Sequence, residues 1–192
     1  VTHRGAEGVD GFAVYSVDRP RPGSATLNLL ELQAGGPEAF AGLWRYLLSV
    51  DLIHEVAANG RPVDEPVELL LTDPRAVSTT AQFDDLWLRL VDVPAALAAR
   101  SYTGEGLVLE VPDPVLPGND GRYRVGPDGV ARTDEAAQVQ LPVDVLAMLH
   151  LGAWRPSQLV DTGRVRVTAP GVAERADRLF ATPAPPWCGT FF

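Results

Sequence analysis

The sequence contains no lysine, and its 16 basic side chains, all arginine, are outnumbered by 25 acidic ones. The formal net charge of −9 argues against a nucleic-acid-binding protein, because such proteins present a basic face to the phosphates. Long apolar runs are also missing: none approaches the ~20 residues of a membrane-spanning helix, and no charged-then-apolar leader opens the sequence. We therefore expect a cytoplasmic protein that binds neither nucleic acid nor membrane.

Cysteine and histidine are scarce. The one cysteine, Cys188, excludes an internal disulfide framework, and with three scattered histidines it also excludes a Cys/His zinc site. We predict no metal. Apolar residues make up 46% of the 192 residues, which is enough to bury a core. The sequence starts at Val1 and its single methionine is Met148, so a piece of a longer protein is one expectation.

Strand-like patterns come as hairpins, and helix-like patterns are grouped rather than strictly alternating with them. Residues 10–18 and 25–33 predict an antiparallel hairpin. Residues 52–57 and 85–93 each predict a strand. A helix is predicted after Pro37 from one apolar stripe at helical spacing: Phe40, Leu43, Trp44, Leu47 and Leu48.

The second half continues in the same way. Strands are predicted at 107–111 and 137–142, and a hairpin at 121–133 turns at Pro127-Asp128-Gly129. Further elements are predicted as helices at 143–152, 156–163 and 170–181 and a strand at 164–167. This grouping indicates an α+β fold with mixed, mainly antiparallel sheets.

No strong catalytic motif is present. The nearest approach to a pyrophosphate loop is QAGGPE at 33–38, between a predicted strand and a predicted helix, where backbone N–H groups can meet a phosphate. Acetyltransferases of the GNAT superfamily carry Arg/Gln-x-x-Gly-x-Gly/Ala there. Glu38 stands where the small final residue belongs, and its carboxylate would repel a phosphate. We interpret the segment as a strand-to-helix turn.

The remaining polar candidates are interpreted as structural rather than catalytic. His54 and His150 have no nameable partner and are interpreted as structural. The acidic pairs at 64–65 and 84–85 are interpreted as solvated loop charges, since a metal would need a third ligand. Two tryptophans fall on the predicted buried faces of regular elements: Trp44 and Trp87.

The tail differs from an ordinary terminus. Its last 14 residues carry no charged side chain and end in Phe191 and Phe192, so we expect it to pack. Packing would partly dry the α-carboxylate of Phe192 and raise its pKa above the usual range of about 3.3–3.7, which makes it a better proton acceptor. The alternative is a hydrophobic tail that seals a core or a subunit interface.

Eight segments, taken together and in order, resemble the C-terminal half of the Eis (enhanced intracellular survival) family of GNAT acetyltransferases. The longest and most specific is LWLRLVDVPAALAAR at 86–100. The others are 10–19, 43–51, 70–77, 107–111, 121–125, 149–159 and 175–181.

The resemblance implies a three-part protein: a catalytic GNAT domain, a second GNAT-like domain without a coenzyme site, and a domain similar to sterol carrier proteins. Residues 1–83 would be the latter part of the second GNAT-like domain, and residues 84–192 the carrier-like domain. Acetyl-CoA would be bound by a catalytic domain that precedes this chain, and the chain alone would be inactive. Family members assemble as hexamers, so a homo-oligomer is expected.

The resemblance also implies site residues. In the family the terminal carboxylate acts as general base, a role that Phe192 matches, while a tyrosine of the catalytic domain is the general acid. Phe191 matches the position before it, where some members carry an acidic residue, and is predicted to contact the substrate. The substrate would be an amine of the aminoglycoside type. No residue of this chain matches the coenzyme loop.

Two alternatives from other classes stay open at this point. The carrier-like half favours a lipid-binding module, which requires an apolar tunnel for a fatty acyl chain or a sterol. The second alternative is a purely structural oligomerisation unit.

Overall fold

The computed structural model describes residues 1–21 and 23–189 and divides the chain into two units. The first unit comprises Val1–Phe83 together with the tail that begins at Trp187, and the second comprises Asp84–Pro186. Each unit has its own sheet and its own hydrophobic core, as the α+β prediction requires. Within the described residues, no helix has the length and apolar character needed to cross a membrane.

The first unit is built on a four-stranded sheet. Its strands are β1 (Thr2–Gly5), β2 (Gly8–Asp18), β3 (Thr26–Ala34) and β4 (Glu55–Ala58), in that spatial order. The first three pair antiparallel, whereas β3 and β4 are parallel. The predicted hairpin of β2 and β3 is confirmed. The strand expected at 52–57 is observed as β4, and β1 was not predicted.

Helix α1 (Pro37–Leu48) makes the crossover that parallel strands β3 and β4 need. It buries Leu43, Trp44 and Leu47 against the sheet, as its apolar stripe predicts, whereas Leu48 is 44% exposed. Two short 3₁₀ helices follow β4: Pro66–Leu70 and Pro74–Ala76.

The second unit has a five-stranded sheet in the order β7-β6-β5-β8-β9. Its strands are β5 (Leu107–Val111), β6 (Gly121–Gly126), β7 (Gly129–Arg132), β8 (Val139–Gln140) and β9 (Arg166–Val167). Its helices are α2 (Val93–Ala98), α3 (Val143–His150), α4 (Pro156–Asp161) and α5 (Val172–Leu179). Only β5 and β8 pair in parallel. The predicted elements at 107–111, 121–133 and 143–152 are confirmed, with small shifts at their ends.

The core of the second unit forms around the central strand β5. Leu107, Leu109 and Val111 are at most 1% exposed, and Val108 on the opposite face is buried too, so both faces of the strand are covered. Helix α5 adds a narrow stripe at i, i+4 and i+7: Val172, Ala176 and Leu179. Apolar burial of this kind is the main stabilising contribution to such a core.

The strand predicted at 85–93 is wrong. Residues 78–90 form no regular structure, and Trp87, predicted to lie in the core, is 85% exposed. The reason is that Arg89 and Val93 of this segment donate to side chains in the loop that follows β5, rather than to a neighbouring strand. Arg89 donates from Nη2 to both oxygens of Asp113, at 2.7 and 2.9 Å, and the amide of Val93 donates to Asn119 Oδ1 at 2.9 Å.

Asp113 is a buried carboxylate, 2% exposed, in the loop after β5. Burial raises the pKa of its carboxyl, but hydrogen bonds from the Asn119 amide, from the backbone amides of Leu116 and Val115, and from Arg89 outweigh that effect and hold the pKa well below its usual range. The loop is therefore organised around an ionised Asp113.

This pKa shift predicts an acid-sensitive second unit. Because the folded-state pKa of Asp113 lies below its ordinary value of 3.8, the stabilisation is complete above that value and is lost as pH falls below it. We expect Asp113→Asn to be less stable than wild type at pH 7 and to lose less stability between about pH 5 and pH 3. Urea midpoints across this pH range measure the effect.

The control is Asp128→Asn, which alters an exposed aspartate in the turn between β6 and β7. Its pH dependence should follow that of the wild type. If Asp113→Asn also runs parallel to the wild type, the carboxylate of Asp113 does not carry the acid sensitivity.

Candidate functional site

The two parallel strands of the first unit separate and leave a fork. Strand β3 pairs with β4 only over residues 26–29, so residues 30–34 have no partner in β4. At the same place β3 carries a bulge, because Leu30 is an extra residue opposite the step from Val14 to Tyr15 of β2. A bulge bends its strand and increases the twist. The inner edge of the fork is therefore the backbone of residues 30–34.

Helix α1 begins next to this part of β3. Gly36 supplies no side-chain cap, so the amides of the first helical turn lack an acceptor within the helix. Gly35 donates its amide to the carbonyl oxygen of Asp10 at 2.7 Å, and a Cβ at Gly35 would stand 2.9 Å from that oxygen. The free amides favour an anion. Glu38, in the same turn, places a negative charge beside them.

An arginine lies at the inner edge of the fork. Arg61 donates from Nη1 to the carbonyl of Leu32, in the unpaired part of β3, at 3.2 Å. Its Nε and Nη2 donate to the two carboxylate oxygens of Glu65 at 2.7 and 3.1 Å. Trp44 of α1 donates from Nε1 to Glu65 Oε1 at 2.9 Å. The side chains of Arg61 and Glu65 are only 16% and 6% exposed, so this is a partly buried ion pair.

The sequence interpretation of Glu65 as a solvated charge is therefore wrong. Two signals could have found the pair. Arg61 and Glu65 stand four residues apart, and a core tryptophan such as Trp44 needs an acceptor for its indole N–H. Neither signal names the partner, because Trp44 and Glu65 are separated by 21 residues in the sequence.

The tail returns to the first unit at Trp187. The indole Nε1 of Trp187 donates to the carbonyl of Gly60 at 2.8 Å. Gly60 has a φ of +63°, a left-handed conformation that favours glycine. Phe191 and Phe192, predicted to contact the substrate and to act as general base, lie outside the described residues.

Within the part of the chain that the structure describes, none of the three histidines hydrogen-bonds to Arg61 or Glu65: His54 accepts from a backbone amide, His150 ends α3, and His3 contacts Asp10. His54 precedes β4, and its Nδ1 accepts from a backbone amide at 3.4 Å. His150 ends α3, where burial, and then the charge of Arg100, lowers its pKa. The sequence reasoning missed the contact of His3 Nδ1 with Asp10 Oδ1 at 2.6 Å, because β1 was not predicted. That hydrogen bond lowers the pKa of Asp10.

The second unit carries two surface grooves, of about 390 and 290 Å³. Charged side chains line the larger one: Glu110, Arg122, Arg132 and Asp134. The smaller one includes Arg100, Ser101 and Tyr102. The charged lining of the larger groove differs from the apolar wall that an acyl chain or a sterol needs. Over residues 1–21 and 23–189, no group of three or more His, Cys, Asp or Glu side chains is placed to hold a metal ion.

Comparison with protein families matches the chain twice, in sequence order. Residues 1–90 match an acetyltransferase (GNAT) domain, and residues 93–189 match a sterol carrier protein domain. The two matched regions together cover nearly the whole chain.

Curated relatives agree with these matches. The N-acetyltransferase Eis of Mycobacterium tuberculosis is 40% identical over 183 residues, which are 92% of this chain and 44% of that protein. An uncharacterized N-acetyltransferase of Streptomyces griseus is 40% identical over 203 residues, covering 100% of this chain and 48% of the relative. The chain thus spans about half the length of the curated relatives it matches.

Solved structures give the same picture. The crystal structure of Eis1 from Mycobacterium abscessus aligns with a TM-score of 0.89 at 38% identity and covers 95% of this chain and 48% of that one. A GCN5-related N-acetyltransferase from Anabaena variabilis aligns with a TM-score of 0.76 at 23% identity, covering 94% and 47%. The second likeness shows the fold alone.

The GNAT match corrects expectations drawn from the sequence. The expectation that the acetyl-CoA-binding domain is missing is wrong, because the chain carries a GNAT domain at residues 1–90 and GNAT acetyltransferases use acetyl-CoA. The expectation that the chain alone is inactive loses its basis for the same reason. The prediction of the end of a GNAT-like domain followed by a carrier-like domain is confirmed in part: the two kinds of domain are found in that order, but the GNAT match covers all of residues 1–90.

The partly buried ion pair predicts an unequal response of two neighbouring carboxylates. Glu65→Ala should lower the free energy of unfolding by about 1–3 kcal/mol, because it leaves the partly buried donors of Arg61 and Trp44 without their acceptor. Asp64→Ala, next to it and exposed, should change it by less than about 0.5 kcal/mol. Urea denaturation followed by tryptophan fluorescence measures both. Equal effects would contradict a stabilising role of the ion pair.

Proposed function

We propose, on the premise that the chain belongs to the Eis-like family of GNAT acetyltransferases with a sterol carrier protein domain, that it forms part of an acetyl-CoA-dependent N-acetyltransferase acting on amines. The observation that carries the proposal is the identity to an N-acetyltransferase across nearly the whole chain. The order of the two domains supports it.

The reaction needs a proton acceptor. An amine nitrogen attacks the carbonyl carbon of the acetyl thioester, the carbon–sulfur bond breaks, and the thiolate of coenzyme A leaves. A lysine-like ammonium has a pKa near 10.4, so it must lose a proton before it can attack. A carboxylate within hydrogen-bond reach, directly or through one water, can take that proton.

For this base we propose the terminal carboxylate of Phe192, the role that the family resemblance implies. Two observations support it. The last 14 residues carry no charged side chain, so this carboxylate is the one negative group of the tail. The tail is also held to the GNAT unit at Trp187, and the three residues after Gly189 reach at most about 11 Å.

For the substrate we propose a cationic amine of the aminoglycoside type. The net charge of −9 is compatible with drawing in such amines, although it identifies none. Phe191 is proposed to contact the substrate through its apolar ring. The lipid-binding alternative gains no support from the larger groove of the second unit, whose lining is charged.

The test uses a chimaera in which this chain replaces the matching segment of the Streptomyces griseus relative. We expect it to transfer acetyl groups to aminoglycosides, measured as release of coenzyme A thiol. One glycine added after Phe192 displaces the carboxylate and should lower kcat about 100-fold or more, the usual contribution of a general base. Calorimetry of acetyl-CoA with the unfused chain measures binding to the GNAT domain found in it.

The control is Phe192→Leu, which changes the side chain and keeps the carboxylate in register. An unchanged kcat after the added glycine would rule out the carboxylate as base. A chimaera that transfers no acetyl group to any amine would contradict the proposed activity itself.

The resemblance to the Eis family also leads us to propose that the protein forms a homo-oligomer, specifically a hexamer. Light scattering on the chimaera should give a mass that is a multiple of the single chain. A monomer at high protein concentration would contradict the assembly and would leave the proposed chemistry untouched.

A further inference from the structure

The plane of the Arg61 guanidinium is fixed by its hydrogen bonds. Three of its N–H groups are used: Nε and Nη2 by the Glu65 carboxylate and Nη1 by the carbonyl of Leu32. The side chain is only 16% exposed, so few other orientations are open to it. Two further N–H groups and the face of the guanidinium remain available, and arginine faces stack on aromatic rings.

The indole ring of Trp187 lies next to this guanidinium. The Cζ atom of Arg61 is 5.6 Å from the centroid of the indole ring, within the range of a cation–π interaction. The same indole donates from Nε1 to the carbonyl of Gly60 at 2.8 Å. Two adjacent residues of the first unit therefore hold one tail side chain, by its ring face and by its N–H group.

The backbone after Trp187 passes close to the indole. A Cβ built on Gly189 would stand 2.6 Å from two carbon atoms of the Trp187 ring. A side chain at this position would have to displace either the ring or the backbone. The glycine is thus required for the path that the tail takes as it leaves Trp187.

We infer that Arg61, Trp187 and Gly189 form a tail anchor whose role is to position the terminal carboxylate of Phe192. The inference rests on the proposed function, because it supplies the device that holds the proposed base. The three residues are positioning residues: they fix the tail at residues 187–189, and three further residues of the sequence lead to the carboxylate.

The anchor is tested first without any catalytic assay. Carboxypeptidase A, which removes C-terminal aromatic residues, is applied to the full chain, and mass spectrometry follows the loss of the two phenylalanines. Trp187→Ala removes the indole hydrogen bond and the cation–π contact, and should release them about tenfold faster. Trp187→Phe, which keeps a ring, should fall between, and Gly189→Ala should resemble Trp187→Ala.

The matched control is Trp154→Ala, which removes another half-exposed tryptophan, from the second unit. Its release rate should equal that of the wild type. Release from Trp187→Ala at the wild-type rate would overturn the anchor.

The positioning role is tested in the chimaera. Trp187→Ala should lower kcat at least about tenfold and leave the KM for acetyl-CoA unchanged, and Trp187→Phe should restore part of kcat. If added glycine lowers kcat and Trp187→Ala does not, the inference is overturned while the proposed base stands. If added glycine leaves kcat unchanged, the proposed base fails and the positioning role is overturned with it, whereas the release rates still report on the anchor.

Discussion

The carboxylate of Glu65 holds together the candidate site of the first unit. It accepts hydrogen bonds from Trp44 of α1 and from Arg61, so it joins the crossover helix to the segment that follows β4. Without it, Arg61 would be a partly buried cation without a counter-charge, which is an unfavourable state. The same arginine donates to the carbonyl of Leu32, which has no partner in β4. The fork between β3 and β4 is therefore maintained by satisfied polar groups as well as by the core beneath it.

The parts of this arrangement that are local in sequence could be predicted. The apolar stripe of α1 and the hairpin of β2 and β3 follow from residue periodicity alone. The bulge was also visible in principle: Leu27, Leu29 and Leu32 are buried, so the alternation slips by one residue at Leu30, which is 63% exposed. A strict two-residue period would have put Leu29 and Leu32 on opposite faces.

The parts that depend on distant partners could not be predicted. Glu65 is followed by a proline in a polar stretch, and its burial comes from Trp44 and Arg61. Residues 85–93 show the opposite error: their composition is typical of a strand, yet Arg89 and Val93 find acceptors in the loop that contains Asp113 and Asn119. The spacing of four residues between Arg61 and Glu65 is local. The contact of Glu65 with Trp44 and the contact of Arg89 with Asp113, however, each span more than 20 residues, where composition and period carry no information.

The neutralisation of Arg61 also bears on the chemistry proposed for the tail. A bare arginine near a carboxylate favours the ionised form and lowers its pKa, which makes the carboxylate a weaker base. Arg61 already pairs with Glu65 through two hydrogen bonds and uses a third donor on Leu32. Among the described residues of the tail, Arg61 contacts the ring of Trp187. The anchor thus holds the tail through a cation whose charge Glu65 already balances, so we expect its effect on the tail to be one of position.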